Sequence, residues 1–293
     1  MTSQTLLECV SALLAQANVQ CGSVLHHNSA THLLREEAPT GHNATIYRPL
    51  LCLVLQGAKD VSTSSKTVRI AAGQSVVVSH AVPVLSRIVE ASPCAPYTAL
   101  VFPLDLDLLR SLAPAIYTPA ASTASATSDP FSIQLCDADE QIEAAMQRYL
   151  SQCDNEVQRP LLGPITAREI HARLLLGADG ENLRKLLWHD STASRISQAT
   201  SDIQNRLADN IVVTDLARNA GMSASAFFEQ FKAVTGTSPL QYQKELRLLR
   251  ARDMLQSSGA KVSEIGFAVG YESSAQFSRE YSRKFGRSPR QDR

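Results

Sequence analysis

One pattern occurs twice in the last hundred residues of this 293-residue chain, and it constrains the fold more than any other feature. Each copy has a short apolar segment with an acid, a glycine, a segment with two aromatic residues, and a Gly-x-Ser-Pro end. The copies are Val213–Ala217, Gly221, Phe227, Phe231, Gly236 and Ser238-Pro239, then Val262–Gly266, Gly270, Phe277, Tyr281, Gly286 and Ser288-Pro289. The second copy starts 49 residues after the first and has one extra residue in its turn.

Each copy predicts two helices separated by a glycine turn. A hydroxyl residue and an acid suit the start of a short helix, and Gly221 or Gly270 suits the left-handed backbone that follows it. Ser223 and Ser273 are then suitable N-caps for a second, aromatic-bearing helix. A helix, a glycine-containing turn and a helix make a helix-turn-helix unit, whose second helix enters the DNA major groove.

A longer helix beginning near Pro239 is expected to join the two units, with Ser238 and Gln241 as its capping box. Its apolar positions predict a broad buried face: Leu246, Leu248, Leu249, Ala251 and Leu255. Its basic positions, Lys244, Arg247 and Arg250, recur every third residue on the predicted outer side. At 1.5 Å per residue the helix spans roughly 27 Å, which suits two recognition helices about one DNA turn apart. The alternative, a helical solenoid, normally needs about three repeats.

The charge of the chain is divided unevenly. Residues 194–293 carry 15 Lys and Arg against 10 Asp and Glu, whereas residues 1–193 carry 13 against 18. The formal net charge of zero therefore hides a basic C-terminal third on an acidic body. This asymmetry favours a polyanionic partner for the C-terminal third.

The N-terminal half predicts an antiparallel barrel or sandwich. Short β-branched and apolar runs are punctuated by glycine and proline; they are Leu50–Leu55, Thr67–Ile70, Ser75–Ser79 and Thr98–Phe102. The predicted fold class is α+β in two domains, a β-rich cupin-like barrel with flanking helices followed by an all-α double helix-turn-helix. The predicted segments are an N-terminal helix (1–19), a sensing domain (20–115), a small-residue linker (116–136), a helical connector (137–193) and a DNA-binding domain (194–293).

The C-terminal repeat resembles the DNA-binding domain of the AraC/XylS family over nearly its whole length. The resemblance rests on GMSASAFFEQFKAVTGTSPLQYQKELRLLRARDML and VSEIGFAVGYESSAQFSREYSRKFGRSPRQ. Upstream, YRPLLCLVLQGAKDV, AAGQSVVVS and EASPCAPYTAL resemble the N-terminal domain of one AraC subgroup. The resemblance implies a transcriptional regulator with a cupin-like, effector-sensing N-terminal domain. The sequence departs from the family pattern at Phe228 and Glu229, where Arg, His or Gln is common, and at Gly266, where alanine is usual.

Helical spacing predicts which side chains of the second helix of each unit face DNA. They are Ser225, Phe228, Glu229 and Lys232 in the first unit, and Ser274, Gln276, Ser278, Arg279 and Ser282 in the second. Arg279 is the main base-reading candidate, because arginine can bond guanine O6 and N7 together; phosphate contact is the alternative. Phe228 suits a thymine methyl and Glu229 suits cytosine N4, although Glu229 could instead pair with Lys232.

The predicted barrel suggests a small-molecule effector. Leu50, Cys52 and Val54 share one strand face, and candidate pocket residues are Cys52, Val54 and His80. A plain barrel core is an equally good interpretation, and a thiol sensor of oxidants or electrophiles is a further alternative. The seven histidines form no H-x-H pair followed by Glu in the strand region, and no catalytic signature is present, so we expect no metal, no cofactor and no enzyme activity.

Several expectations concern location and partners. The chain has no run of 18 apolar residues, no export signal and no C-x-x-C pair among its six cysteines, which predicts a cytoplasmic protein with free thiols and no membrane contact. The expected partners are double-stranded promoter DNA, an effector, and RNA polymerase if the protein is an activator. Residues 137–153 predict an amphipathic helix, either for homodimerisation or for packing within the chain.

Overall fold

The structure, a computed structural model, describes residues 5–26, 28–63, 66–116, 133–177, 180–187 and 191–293. Its N-terminal part is a sandwich of two antiparallel sheets, and its C-terminal part is helical. The predicted fold class is therefore confirmed. The low-complexity stretch at 119–130, expected to be a linker, lies outside the described residues.

Ten strands form the two sheets in the described part of the chain. They are β1 (Gly22–His26), β2 (Thr31–Glu36), β3 (Asn43–Tyr47), β4 (Leu50–Gln56), β5 (Ala58–Ser62), β6 (Thr67–Ala71), β7 (Gln74–Val78), β8 (Val82–Glu90), β9 (Tyr97–Pro103) and β10 (Ile133–Asp137). The larger sheet has the order β1-β2-β9-β4-β7-β10 and the smaller one β3-β8-β5-β6. Strand β10 pairs with β7, so the last residues of the predicted linker belong to the sandwich.

Strand β4 is apolar on both faces because each face is buried against a different part of the molecule. Cys52 and Val54 point between the two sheets, where they join an apolar cluster with Tyr97. Leu51 and Leu53 point outward and pack under the helices. Since a strand alternates its side chains between faces, a continuous apolar run at 50–55 indicates burial on both sides.

Eleven helices cover the sandwich and form the C-terminal part of the described chain. They are α1 (Leu6–Gln16), α2 (Leu106–Ile116), α3 (Glu140–Asp154), α4 (Gln158–Leu176), α5 (Gly180–Leu187), α6 (Thr192–Asn205), α7 (Val213–Asn219), α8 (Ala224–Thr235), α9 (Pro239–Ser257), α10 (Val262–Ala268) and α11 (Ser274–Phe285). None of these described helices is long and apolar enough to cross a membrane.

The helix expected at 137–153 has its apolar stripe buried inside the chain. Ile142, Ala145, Met146 and Leu150 of α3 belong to the cluster that also holds Leu51 and Leu53 of β4. The stripe packs α3 against the larger sheet and against α4. Of the two interpretations of this helix, packing within the chain is the one that the buried stripe supports.

Candidate DNA-binding surface

The first helix-turn-helix unit consists of α7 and α8. Asp215 lies in the first turn of α7, and Gly221 takes the left-handed backbone, φ +63°, after its end. Ser223 Oγ accepts a hydrogen bond of 3.2 Å from the Ala226 amide and so caps α8. Phe227 and Phe231 are fully buried against α6 and α9. The predicted turn, cap and aromatic core are all present.

The second unit, α10 and α11, repeats this construction with a tighter contact between its helices. Gly270 has φ +97°, and Ser273 Oγ accepts a hydrogen bond of 3.4 Å from the backbone N–H of Gln276. A Cβ atom on Gly266 would lie 3.0 Å from Cδ1 of Phe277. The glycine at this position therefore lets α10 approach the ring on α11 closely.

Helix α9 is the common frame of both units. Ser238 Oγ accepts from the Gln241 amide at 3.4 Å, while the Gln241 side chain donates to Glu245 rather than closing a capping box. Tyr242 and Leu246 pack in the core of the first unit. Leu248, Ala251 and Leu255 pack in the core of the second. One helix thus contributes to two small cores and connects the two units.

The predicted DNA-facing residues of α8 lie on its accessible side. Ser225, Phe228, Glu229 and Lys232 are all exposed, and the Phe228 ring keeps 44% of its surface accessible. No ion pair joins Glu229 to Lys232 in the described chain, so both charges are available to a ligand. An exposed aromatic ring beside a free cation suits an apolar contact and a phosphate contact on the same groove.

The predicted DNA-facing residues of α11 fall into two groups, which differ in exposure and in hydrogen bonding. Ser274, Gln276 and Arg279 are exposed, and the Arg279 guanidinium has no hydrogen bond or ion pair among the described residues. The Ser278 hydroxyl donates to Ser274 O at 2.9 Å, and the Ser282 hydroxyl donates to Ser278 O at 2.8 Å. These two serines are half-buried and already donate to their own helix, which leaves Arg279 as the free strong donor.

Three basic residues were predicted on the outer side of α9, and the prediction is wrong for two of them, Lys244 and Arg247, which are half-buried and bonded within the chain. Lys244 pairs with Glu280 of α11 at 3.0 Å. Arg247 donates to backbone carbonyls of two other segments, and Arg250 remains exposed. Burial opposes the charge of Glu280, but hydrogen bonds from Lys244, Tyr271 and Gln276 outweigh it and hold the pKa of Glu280 below its usual value. Carbonyl acceptors carry no sequence signal, so helical spacing could not identify the role of Arg247.

The sandwich interior holds a buried cation beside the predicted pocket residue Cys52. Lys59 Nζ lies 3.2 Å from Cys52 Sγ and 3.3 Å from Tyr47 Oη, and no carboxylate contacts it in the described chain. Burial opposes the charge, but Cys52, Tyr47 and Tyr97 outweigh it and hold the pKa of Lys59 well above its ordinary value. The buried Tyr97 hydroxyl has no hydrogen-bond partner among these residues. Sequence reasoning missed Lys59 and Tyr97.

His80, the third predicted pocket residue, lies where the sandwich meets the C-terminal helices. Its Nε2 donates to Ala193 O at 3.2 Å, and its Nδ1 accepts from Ser79 Oγ at 2.7 Å. Because burial disfavours the imidazolium, the pKa of His80 falls to about 4. The side chain is therefore neutral at pH 7 and serves as a structural link.

Two further contacts join the sandwich to the first unit. The Tyr242 hydroxyl of α9 donates to Ala81 O at 2.7 Å, and Ile46 of β3 packs against the core of the first unit. A cleft of about 270 Å³ lies between β3, β8 and the second unit, with Arg252, Lys284 and Arg287 on its helical side. The first unit is thus docked on the sandwich, and the second lies across a cleft from it.

The described residues contain no group of three His, Cys, Asp or Glu side chains placed to hold a metal ion. Their described cysteines are all free thiols. The chemistry that these two regions offer is therefore that of a cationic, aromatic surface on the helices and of an ammonium, a thiol and two phenols inside the sandwich.

Comparison with known proteins identifies both parts of the chain. Residues 29–182 match the family described as the N-terminus of AraC-type transcriptional regulators, and residues 216–293 match a helix-turn-helix domain. The HTH-type transcriptional activator RhaS of Escherichia coli O1:K1 is 29% identical over 146 residues, which is 50% of this chain and 52% of RhaS. The match spans about half the length of such curated relatives.

The fold has solved counterparts. ToxT of Vibrio cholerae, crystallised with a bound unsaturated fatty acid, aligns with a TM-score of 0.58 over 88% of this chain and 91% of ToxT, at 10% identity. A second ToxT crystal form aligns with the same TM-score over 89% of this chain and 96% of ToxT, at 11% identity. At this identity the likeness concerns the fold alone.

Proposed function

This chain belongs to the AraC family of transcriptional regulators, and on that premise we propose that it binds promoter DNA sequence-specifically through its two helix-turn-helix units and thereby regulates transcription. One observation carries the proposal. The exposed sides of α8 and α11 belong to units built on one helix, α9, and Arg279 has no partner among the described residues. We propose no catalytic role for the chain.

The two recognition helices would read DNA by different contacts. In the second unit, Arg279 bonds guanine O6 and N7, a contact worth about 1–3 kcal/mol of discrimination. In the first, Phe228 meets a thymine methyl, Glu229 accepts from cytosine N4, and Lys232 meets a phosphate. Ser225, Ser274, Gln276, Ser278 and Ser282 would complete the two surfaces.

Effector control would act through the contact between the sandwich and the first unit. We propose that an anionic small molecule binds between the sheets, where Lys59 supplies a positive charge and Tyr97 a free hydroxyl, beside Cys52 and Val54. The fatty acid bound by ToxT is a ligand of this charge type. Because apolar side chains fill this interior, binding would move the sheets and shift the population of docked conformers held by His80 and Tyr242.

DNA binding is tested by fluorescence anisotropy of the full-length protein on its own upstream promoter and on a scrambled duplex, at several salt concentrations. We expect salt-dependent binding that prefers the promoter and a loss of roughly 10- to 100-fold for Arg279→Ala, from a bidentate contact worth about 1–3 kcal/mol. Arg168→Ala removes another exposed arginine, on α4, and is the matched control. Equal affinity for both duplexes, or equal affinity of both variants, would contradict the proposal.

Effector control is tested by repeating the promoter titration with an unsaturated fatty acid present. We expect the wild-type affinity to change and the Lys59→Met variant to lose that response, since methionine keeps most of the volume without the charge. If the variant responds as the wild type does, the effector site lies elsewhere.

A second candidate, a thiol-based regulator, is favoured by the 3.2 Å contact in which Lys59 Nζ donates to Cys52 Sγ, because reactive cysteines often lie beside cationic side chains. Hydrogen peroxide would then change the promoter affinity of the wild type. Cys52→Ala should abolish that change and Cys94→Ala, at an exposed thiol, should keep it. An unchanged peroxide response in Cys52→Ala removes this candidate.

The remaining partners are also proposals. Contact with RNA polymerase would follow if the protein activates transcription, and a homodimer would match a symmetric DNA site. Sedimentation equilibrium measures the oligomeric state directly.

A further inference from the structure

Arg247 of α9 is bonded to two separate parts of the C-terminal region. Its Nε donates to Leu207 O at 2.8 Å, and its Nη2 donates to Ala208 O at 3.1 Å and Asp209 O at 2.9 Å. Its Nη1 donates to Gly270 O at 2.9 Å. Residues 207–209 lead into the first unit, and Gly270 is the turn of the second. One guanidinium therefore links both units to the helix that connects them.

Gly270 and its surroundings are shaped to admit this guanidinium. A Cβ atom at position 270 would lie 2.4 Å from Ala208 O and 2.7 Å from Arg247 Nη2. The backbone of the second unit's turn thus comes within contact of the segment that precedes the first unit. Only glycine permits that approach, and it also accepts the φ of +97° found there.

Neighbouring side chains reinforce the same junction. Gln243 donates its amide to Leu207 O at 3.1 Å and to Asp209 O at 2.7 Å. Asn210 donates to Glu272 Oε1 at 3.4 Å, a weaker link between the same two segments. Arg247 differs from both because it alone, among the described side chains that bond residues 207–209, also bonds the second unit.

The chemistry of the guanidinium suits a positioning role. Its donors lie in one rigid plane, so bonds to four carbonyls restrict both the distance and the angle between the segments that carry them. A lysine ammonium is a compact charge without that planar fork. The two recognition helices must enter major grooves about one DNA turn apart. A small rotation of one unit about α9 would shift its recognition helix along the DNA and so change the spacing between half-sites that the protein can bind.

We propose that Arg247 is a positioning residue that sets the spacing between the two DNA half-sites which the two helix-turn-helix units recognise. This inference rests on the proposed DNA-binding function. Arg247 would then influence which DNA site the protein binds although it does not itself contact DNA. The expected loss in a variant is therefore a loss of spacing preference, with each unit still able to bind its own half-site.

The test begins with selection of a preferred bipartite site by the full-length wild type from a random-sequence duplex library. Affinity is then measured for that duplex, for duplexes with one base pair inserted or deleted between the half-sites, and for single half-site duplexes. Wild type should lose on the order of tenfold on a changed spacing, as for a displaced contact. Arg247→Lys should bring this ratio close to one and leave the single half-site affinities unchanged.

Arg250→Lys, an exposed arginine on the same helix, is the matched control and should keep the wild-type ratio. Far-ultraviolet circular dichroism checks the fold, and Arg247→Gln, which retains an amide donor, replaces the lysine variant if that one does not fold. If an Arg247 variant still prefers the selected spacing as strongly as wild type does, this inference alone is overturned. The same holds if the variant loses as much affinity for the single half-site duplexes as for the selected duplex. A wild type that enriches no sequence overturns the proposed function and this inference with it.

Discussion

The first helix-turn-helix unit packs its core against Ile46 of the sandwich, whereas the second faces the sandwich across a cleft of about 270 Å³. The first places Phe228 and Glu229 on its recognition helix, and the second places an unpaired Arg279. Their turns differ too, since a Cβ at Gly221 would lie 3.4 Å from Arg195 Nη1 and one at Gly270 would lie 2.4 Å from Ala208 O. A repeated sequence pattern fixes the local fold of each unit, while the packing around it gives the units different tasks.

The turn glycines give the largest expected difference between the units. Gly270→Ala combines left-handed backbone strain with backbone overlap and should lower the free energy of unfolding by about 3–5 kcal/mol. Gly221→Ala has the strain, but its Cβ would contact only the flexible Arg195 side chain, so we expect a loss of about 1–2 kcal/mol. Urea denaturation of both variants measures the difference, and equal losses would contradict the packing described for Gly270.

Acid should weaken the fold at the docked side, through His80. The folded chain holds the pKa of His80 near 4, below the ordinary value of 6.5. Above pH 6.5 the imidazole is neutral in both the folded and the unfolded state, so the titration of His80 does not change stability there. As the pH falls from 6.5 to 4 the unfolded chain takes up the proton more readily, and stability drops by up to about 3 kcal/mol.

The measurement for His80 is urea denaturation from pH 7 to pH 4. Burial also lowers the pKa of His171, so wild type has more than one source of acid sensitivity. His80→Gln should therefore show a shallower fall with pH than wild type, although its stability at pH 7 is lower. His32→Gln, at an exposed histidine, is the control and should retain the wild-type slope. Identical slopes for all three proteins would show that His80 is not the titrating group.

The recognition helices should contribute unequally to base discrimination. Arg279→Ala should reduce the discrimination of the selected site from a single-base mismatch by about 1–3 kcal/mol, whereas Phe228→Ala should cost less because it loses only an apolar contact. Competition binding with each base substituted in turn gives the comparison. A larger effect of Phe228→Ala would reverse the roles assigned to the two units.

The smallest expected effect concerns Gly266, which stands at the position of Ala217 in the first copy. Gly266→Ala would gain about 1 kcal/mol of helix propensity but place a Cβ 3.0 Å from the Phe277 ring, so we expect a net loss below about 1 kcal/mol. Ala217→Gly should cost at least about 1 kcal/mol, since it loses helix propensity and also removes a methyl group buried in the core of the first unit. Thermal denaturation compares them; a clear stabilisation by Gly266→Ala would mean that the ring moves aside freely.

The sequence was most informative where a local rule applies. Glycine turns, serine caps at Ser223 and Ser273, and the two-sided burial of β4 follow from spacing and composition, and the structure contains all three. Sequence patterns do not identify β1 and β3, because their mostly half-exposed residues carry no continuous apolar run. They do not identify β8 either, because Pro83 in its apolar, buried first part is more typical of a turn than of a strand interior.

Contacts between distant segments were beyond sequence reasoning. Arg247 finds its partners in main-chain carbonyls, which any residue supplies, so its type predicts only a basic surface. Lys59 and Cys52 are only seven residues apart in the chain, but they lie on strands of different sheets, and their contact depends on how the two sheets pack. His80 is a polar side chain near the predicted strands, which makes it a candidate pocket residue, yet its partner Ala193 lies more than a hundred positions away in the chain.

Hydroxyl-radical footprinting of the full-length protein on its selected duplex would show whether the two units built on α9 read DNA together. We expect two protected segments whose centres lie about 10 base pairs apart, one per recognition helix. Arg279→Ala should weaken protection in one segment more than in the other. A single protected segment, or none, would show that the two units do not read DNA together.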